Sequence, residues 1–305
     1  MNVLVTGCAG FIGSHTSEEL LNRGHAVYGV DAMSYAADIK KIDKLNKFEN
    51  FHFYECNIND AEKLKSLVEI SKITHIINFA AETHVDNSIR DVIPFIYSNI
   101  HGVANLIEIA RLTGVHLVHI STDEVYGVPE PGEIFSEDSP LRPRNPYSAT
   151  KAAADHLILA AINTHAISAH IIRPSNNFGP GQHGEKFIPT IIRSLKSGNK
   201  IPVYGDGKQK REWTYVKDTA LSISNFLNSV DSEGRTILNL TSEFQIENIS
   251  VIHKICEILK IDHKDCIEHV RDRPGHDREY RITNSLLEEK TEFYDALSET
   301  LREAK

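Results

Sequence analysis

A strand that runs directly into a glycine-spaced turn restricts the fold of this chain more than any other feature. Val3-Leu4-Val5-Thr6 is apolar and leads into Gly7-Cys8-Ala9-Gly10-Phe11-Ile12-Gly13. A helical pattern follows, with Leu20 and Leu21 near its end and Gly24 as its stop signal. Strand, G-x-x-G-x-x-G and helix make a dinucleotide-binding turn. The glycines let the backbone approach a pyrophosphate, which sits on the helix N-terminus. Ala26 to Val30 is the second strand, and it ends at Asp31. A carboxylate there accepts hydrogen bonds from a ribose 2′-hydroxyl and repels a 2′-phosphate, which favours NAD over NADP.

Beyond the turn, apolar runs alternate with helical patterns. Strands are expected at Phe51 to Glu55, His75 to Phe79, Leu117 to Ile120 and Ala169 to Arg173. Residues 38 to 50, polar and lysine-rich, read as a helix or a solvated loop. Asp60 is placed to cap a helix to about Ser71, Pro94 to open one to about Thr113, and Tyr147 to begin one to about Thr164. This alternation predicts an α/β protein, a Rossmann-type doubly wound parallel sheet. After Pro174 the texture changes to a turn-rich run, Ser175 to Gly181. Helices near Ile188 to Ser197, Asp218 to Leu227 and Ile249 to Leu259 then mix with short strands at Ile201 to Tyr204, Arg211 to Val216 and Thr236 to Leu240. The expected division is an NAD-binding part, 1–173 plus about 213–241, and a smaller interleaved C-terminal α/β substrate part, 174–212 and 242–305.

Composition narrows the function classes. With 305 residues, 41% hydrophobic and 25% charged, the chain has the makeup of an ordinary globular protein. Its net charge of -9 argues against a nucleic-acid partner, whose phosphates demand a basic face. No apolar run approaches the ~20 residues of a membrane span, and no signal segment precedes the first strand. The four scattered cysteines include no C-x-x-C pair. A cytoplasmic, reducing setting is therefore expected, and no metal. His116 and His119 lie three apart on one strand and face opposite sides.

Chemistry concentrates between His116 and Lys151. The strand Leu117 to Ile120 runs into Ser121-Thr122-Asp123-Glu124-Val125-Tyr126-Gly127, and Pro146-Tyr147-Ser148-Ala149-Thr150-Lys151 opens a later helix. Tyr147 and Lys151 lie one turn apart on one helix face. A nearby ammonium is expected to lower the phenol's pKa from about 10. The phenolate can then take a proton from a sugar hydroxyl while hydride leaves for NAD. In a net-acidic chain, the basic run Val270 to Arg278 is a candidate grip for a diphosphate.

With the dinucleotide turn upstream, these motifs mark the extended short-chain dehydrogenase/reductase superfamily. Within it the chain resembles the nucleotide-sugar 4,6-dehydratases, above all the dTDP-glucose 4,6-dehydratase family. The matching segments are Gly7 to His15, Ala80 to Ile89, Ser121 to Gly127, Tyr147 to Lys151, Arg173 to Pro180, Glu185-Lys186, Tyr204 to Asp218 and Asp272 to Tyr280. Thr122-Asp123-Glu124 is the most specific of them.

The resemblance implies a hydro-lyase that turns a nucleotide-diphospho-hexose of the dTDP-glucose or UDP-glucose type into its 4-keto-6-deoxy product. Tyr147, helped by Lys151, takes the O4 proton; Glu124 is the base at C5, Asp123 the acid at the C6 hydroxyl, and Thr122 a hydrogen-bond partner of O4. It further implies NAD contacts at Gly7, Gly10, Phe11, Ile12, Gly13, Asp31, Asn57, Ile58, Ala80, Ala81, Thr83, Tyr147, Lys151 and Asn177. Substrate contacts carry onto His84, Thr122, Asn176, Lys186, Phe187, Tyr204, Arg211, Asn239, Arg273 and His276. A homodimer through a four-helix bundle of the helices near 94–113 and 147–164 is implied as well. Three departures stand out: Asn57 where Asp is usual, Asn87 where Arg is usual, and Glu288-Glu289-Lys290 in place of a Gly-Trp-x-Pro element. The alternatives on the same fold are UDP-N-acetylglucosamine 4,6- or 5,6-dehydration, 4-epimerisation and oxidative decarboxylation.

Overall fold

Each apolar run of the first half becomes a strand of one parallel sheet. The computed structural model describes residues 1–229, 236–272 and 277–304. In chain order the elements are β1 (Asn2–Thr6), α1 (Phe11–Asn22), β2 (Ala26–Asp31), α2 (Ile39–Leu45), β3 (Phe51–Glu55), α3 (Ala61–Ile70), β4 (His75–Asn78), α4 (Val85–Arg90) and α5 (Ile93–Phe95). A π-helical turn (Ile96–His101) joins α5 to α6 (Gly102–Thr113). There follow β5 (His116–Ile120), a 3₁₀ turn (Asp123–Tyr126), α7 (Pro146–His165), β6 (Ala169–Pro174), β7 (Asn176–Phe178) and α8 (Phe187–Lys196). The remainder comprises β8 (Ile201–Tyr204), β9 (Lys210–Tyr215), α9 (Val216–Ser229), β10 (Ile237–Leu240), β11 (Gln245–Glu247), α10 (Asn248–Leu259), β12 (Ile267–Val270) and α11 (Phe293–Glu303).

Local chemistry sets the boundaries. Asp60 caps α3 by accepting from the Lys63 N–H. Asp38 does the same for α2 through Lys40, which settles residues 38 to 50 as a helix and its flanks. Asn145 and Ser148 form a reciprocal capping box at the start of α7, followed by Pro146.

The large sheet has the order β10-β6-β5-β4-β1-β2-β3, and every pairing in it is parallel. The order reverses between β1 and β4, the crevice where open α/β sheets bind ligands. One face packs on α1, α2 and α9 through Leu20, Leu45, Ile223 and Phe226, and the other on α3, α6 and α7 through Leu64, Leu106 and Ile158. A third core, with Phe178, Ile191, Trp213, Val251 and Phe293, lies among α8, α10, α11 and the small sheets β11-β9-β7 and β12-β8. Sequence patterning misses β7, β11 and β12, which are only three or four residues long. It also misses α11, which buries Phe293, Ala296, Leu297, Thr300 and Leu301 on one face. The charged run before α11 is docked: Lys290 Nζ donates to the Ser242 carbonyl (3.2 Å), and Thr291 donates twice to Asp218 (2.7 and 2.8 Å). Among the described residues no helix is long and apolar enough to cross a membrane.

Three histidines cross the amino ends of β4, β5 and β6. His116 Nδ1 lies 2.7 Å from Ser168 Oγ, and its Nε2 lies 3.1 Å from His170 Nδ1, with the His75 ring beside it. Burial, then the adjacent His170 and His75, pull the His116 pKa down from 6.5 to about 4. The unfolded chain therefore binds this proton first as the solution is acidified. The stability contribution is complete above pH 6.5 and is lost as pH falls toward 4. Urea unfolding across that window should show a loss on the order of 2 kcal/mol, and His116→Asn should flatten the dependence. An equal slope in the variant would assign the acid sensitivity elsewhere.

Candidate active site

The carboxyl ends of β1 and β4 come so close that only glycine fits between them. Gly7 has φ +70°, and a Cβ there would fall 2.8 Å from the Ala80 nitrogen; a Cβ on Gly13 would collide with the Gly7 carbonyl oxygen. The bare backbone and the start of α1 thus form a cradle into which a diphosphate fits. Asp31 braces this turn, accepting from the Ala9 N–H (3.0 Å) and the Met33 N–H (2.9 Å). Burial raises its pKa, and those two N–H groups and Lys41 oppose the rise.

Two adjoining cavities follow the cradle. Gly7, Gly10, Asp31, Asn57, Ile58, Ala80 and Ala81 line the first. Gly7, Gly10, Phe11, Ile12, Gly13, Ala81, Thr83, Tyr147, Lys151 and Asn177 line the second, together with Thr122, Asp123 and Glu124. Every residue expected to hold the dinucleotide is in one wall or the other, so the residues present fit NAD. The π-helical turn serves this groove. It aims buried Asn99 at the loop after β4, where it accepts from the Glu82 N–H (2.9 Å) and donates to the Glu82 carbonyl and Thr150 Oγ1 (3.0 Å each).

The paired carboxyls sit on the 3₁₀ turn that ends β5. Thr122 Oγ1 accepts from the Glu124 N–H (3.3 Å) and donates to Asp123 Oδ1 (3.2 Å). Asp123 is 3% exposed, and its Oδ2 is buried without a partner among the described residues. Burial, then the Glu124 and Glu212 charges, hold its pKa well above the usual carboxylate range. Burial raises Glu124 too, but hydrogen bonding from Asn145 (3.1 Å) and the charges of Arg211 and Lys186 favour its ionised form.

Tyr147 and Lys151 are both buried in the same wall. The expected lowering of the phenol's pKa is not found. Burial, then the Glu124 charge, push it up, against a hydrogen bond to Thr122. The reason is where the ammonium points. Lys151 Nζ donates to the Ile120 carbonyl (2.7 Å) and lies 3.2 Å from His119 Nε2. Burial brings Lys151 itself down to about 8, and Asp155 opposes the fall.

A third cavity opens from the same point, sharing Thr83, Glu124, Asn176, Glu185 and Lys186 with the dinucleotide groove. It contains the expected His84, Asn176, Lys186, Phe187, Tyr204 and Arg211. Lys186 Nζ donates to the Thr83 carbonyl (3.0 Å) and hydroxyl (3.1 Å), bridging the two large parts of the fold. Arg211 lies over the Tyr280 ring, 4.3 Å to its centroid, and donates to the Asp277 carbonyl (2.9 Å). Asn239 is not in this wall. It is fully buried on β10, where its side-chain oxygen accepts the Tyr126 hydroxyl (2.8 Å). Arg273 and His276 lie outside the described residues. Elsewhere in the basic run, Arg271 is exposed and Arg278 pairs with Asp206 (2.8 Å); neither lines this cavity. Sequence reasoning did not single out Asn145, Trp213, Asp277 and Tyr280, which also line this cavity. Only Asn145, before the proline that opens α7, carries a local signal.

Residues 3–240 match the model of the NAD dependent epimerase/dehydratase family. The chain is 42% identical to the low-salt glycan biosynthesis protein Agl12 of Haloferax volcanii, over 92% of this chain and 90% of that protein. It is 37% identical to the dTDP-glucose 4,6-dehydratase of Mycobacterium tuberculosis, over 99% and 92% respectively. The crystal structure of DesIV, a dTDP-glucose 4,6-dehydratase from Streptomyces venezuelae with NAD and TYD bound, superposes with a TM-score of 0.93. It is 34% identical, and the match covers 99% of this chain and 96% of that one. The dehydratase resemblance is borne out, and the chain belongs to the NAD dependent epimerase/dehydratase family.

Proposed function

We propose that this protein is an NAD-dependent hydro-lyase, a nucleotide-sugar 4,6-dehydratase. It converts a nucleotide-diphospho-hexose of the dTDP-glucose or UDP-glucose type to the 4-keto-6-deoxy sugar. One observation carries the reading: two adjacent carboxyls, Asp123 and Glu124, line the dinucleotide groove with Tyr147, and Glu124 also lines the third cavity. Bound NAD supplies the hydride acceptor for C4 and the hydride donor for C6. Tyr147 removes the O4 proton, and Thr122 holds that oxygen. The 4-ketone makes the C5 hydrogen acidic, and Glu124, kept ionisable by Asn145 and Arg211, takes it. Asp123, kept protonated by burial beside Glu124, delivers its proton to the departing C6 hydroxyl, which leaves as water. Reprotonation at C5 completes the cycle, so substrate and product differ by rearrangement and one water.

The alternatives use these residues less fully. A 4-epimerase or a decarboxylase has no task for a buried, protonated Asp123, and a 5,6-dehydratase has no use for hydride at C6. The cavities also support a division of labour: 1–173 with about 213–241 for NAD, and 174–212 with 242–305 for the nucleotide sugar. Because β9 joins a small sheet and Trp213 and Tyr215 join the third core, the boundary at 213 is better drawn after Tyr215.

A homodimer is part of the proposal. Ile93, Ile96 and Tyr97 are 66%, 41% and 56% exposed on the helix that leads into α6, with Ile89 and, on α7, Leu157 also exposed. A twofold axis would bury this face against its own copy as a four-helix bundle. The four free thiols, three of them buried, support a cytoplasmic setting.

With C4-deuterated nucleotide hexoses, mass spectrometry should find loss of one water and deuterium at C6. Unchanged mass with every donor tried would refute the dehydratase reading. Asp123→Asn should leave C4 oxidation in place and slow water elimination by about 10²–10⁴-fold; elimination at the parent rate would remove Asp123 from the acid's role. Ile93→Glu should shift the sedimenting species toward the monomer, whereas a parent-like dimer would place the interface elsewhere.

A further inference from the structure

A row of buried polar side chains runs across the carboxyl ends of β1, β4 and β5, beneath the cofactor groove. Strand register puts Thr6 opposite Asn78, and Asn78 opposite His119. All three are fully buried. Thr6 Oγ1 donates to Asn78 Oδ1 at 2.6 Å and accepts from the Ala80 N–H at 3.3 Å, Asn78 Nδ2 lies 3.0 Å from His119 Nδ1, and His119 Nε2 lies 3.2 Å from Lys151 Nζ. Central parallel strands usually fill such positions with Val or Ile, and buried polar groups are costly unless paired. The row ends on a residue of the proposed reaction, and the steps above give His119 no task.

The donors and acceptors restrict what His119 can be. A lysine ammonium has three donors and no acceptor, so the nitrogen facing it must carry a lone pair. Nε2 is then bare, and the ring proton sits on Nδ1. That N–H needs an acceptor, which Asn78 provides once its amide is turned over, so that Oδ1 rather than Nδ2 faces Nδ1 and the NH₂ donates to Thr6 Oγ1; the two amide orientations have the same shape. With the opposite orientation Nδ1 accepts, Nε2 carries the proton, and Lys151 must be a neutral amine. The row therefore couples the His119 tautomer to the Lys151 charge.

We propose that His119 is a positioning residue: its neutral Nδ1–H imidazole accepts a hydrogen bond from the Lys151 ammonium and holds that cation at the end of β5. The Ile120 carbonyl is the second acceptor, at 2.7 Å. The charged groups around the pair are few. Asp155 faces Lys151 from its own helix and is itself paired with Arg173 of β6 at 2.9 Å, while Asp123 and Glu124 lie beyond the strand end. Protonating His119 would set two cations 3.2 Å apart in a buried site, and burial followed by the Lys151 charge holds the imidazole pKa well below 6.5. The neutral ring, which keeps its acceptor, is therefore the form favoured beside the ammonium.

This inference uses the reading of Lys151 as a working cation, but the NMR signals that decide it need neither substrate nor cofactor. Nitrogen NMR of the histidine side chains in the parent protein at pH 7 should give His119, assigned by its absence in His119→Gln, a protonated Nδ1 and a bare Nε2. The Lys151 side-chain signal, assigned by its absence in Lys151→Met, should titrate near pH 8. In His119→Gln, which keeps an acceptor near the Nε2 position, the midpoint should stay within about half a unit. In His119→Leu it should fall by about one unit or more, the value of a lost hydrogen bond to a charged group. The limb of the pH–rate profile governed by Lys151 should move with it, which general loosening of the fold would not produce. A common midpoint in parent, Gln and Leu proteins, or a protonated Nε2 in the parent, would overturn the proposal. Should the Leu variant fail to fold, the parent tautomer still decides. A protein that did not dehydrate nucleotide sugars at all would leave these signals unchanged.

Discussion

A buried ion pair ties α7 to β6 and, through Tyr126, to the 3₁₀ turn after β5. Arg173 of β6 donates from Nε to Asp155 of α7 at 2.9 Å, with 1% and 0% of the two side chains exposed. Its second arm donates to the Tyr126 hydroxyl at 2.7 Å, and its guanidinium lies over that ring, 4.8 Å to the centroid. Tyr126 closes the 3₁₀ turn that carries Asp123 and Glu124, and it reaches on to Asn239 of β10. One guanidinium thus fixes α7, which carries Tyr147 and Lys151, relative to the paired carboxyls. Buried pairs of this kind contribute little net stability, yet losing one partner strands a charge at a cost of about 3–5 kcal/mol. Their use here is geometric.

Groups positioned so firmly can hold different protonation states side by side. Asp123 has one oxygen tied to Thr122 and one buried without a partner among the described residues, so it favours the neutral acid. Glu124, one residue on, has Asn145 and two nearby cations, which favour the anion. The difference accompanies the turn that Thr122 caps, where Asp123 and Glu124 meet different neighbours. An extended chain would point neighbouring residues apart, whereas here both carboxyls line the dinucleotide groove.

The parts of this arrangement that sequence reveals are those whose chemistry is local. Gly7, Gly10 and Gly13 are spaced by the geometry of one turn, Asp31 by the length of the next strand, and Tyr147 and Lys151 by one helical turn. Asp123 and Glu124 are adjacent in the chain. Trp213, Asp277 and Tyr280 are distant from those motifs, and only the packing of β9 and the C-terminal segment brings them to the same cavity. Asn239 shows the opposite error, since a residue assigned to substrate by resemblance is consumed in holding Tyr126. The basic run around Val270 shows that charge composition says nothing about partners, since Arg278 has one in Asp206. Strands of three residues, such as β7, carry too little pattern to be told from a turn.

The same locality explains the one electrostatic expectation that failed. Spacing alone puts Lys151 beside Tyr147 on a helix face, but the length of a lysine side chain lets its charge act elsewhere. Here the carbonyl of Ile120 and the ring of His119 hold it against the end of β5. Burial, and after it the nearby Glu124 and Asp123 charges, push the phenol above its usual pKa. In the proposed reaction, NAD bound in the groove that Tyr147 lines would add the positive charge of its nicotinamide ring, which would favour the phenolate.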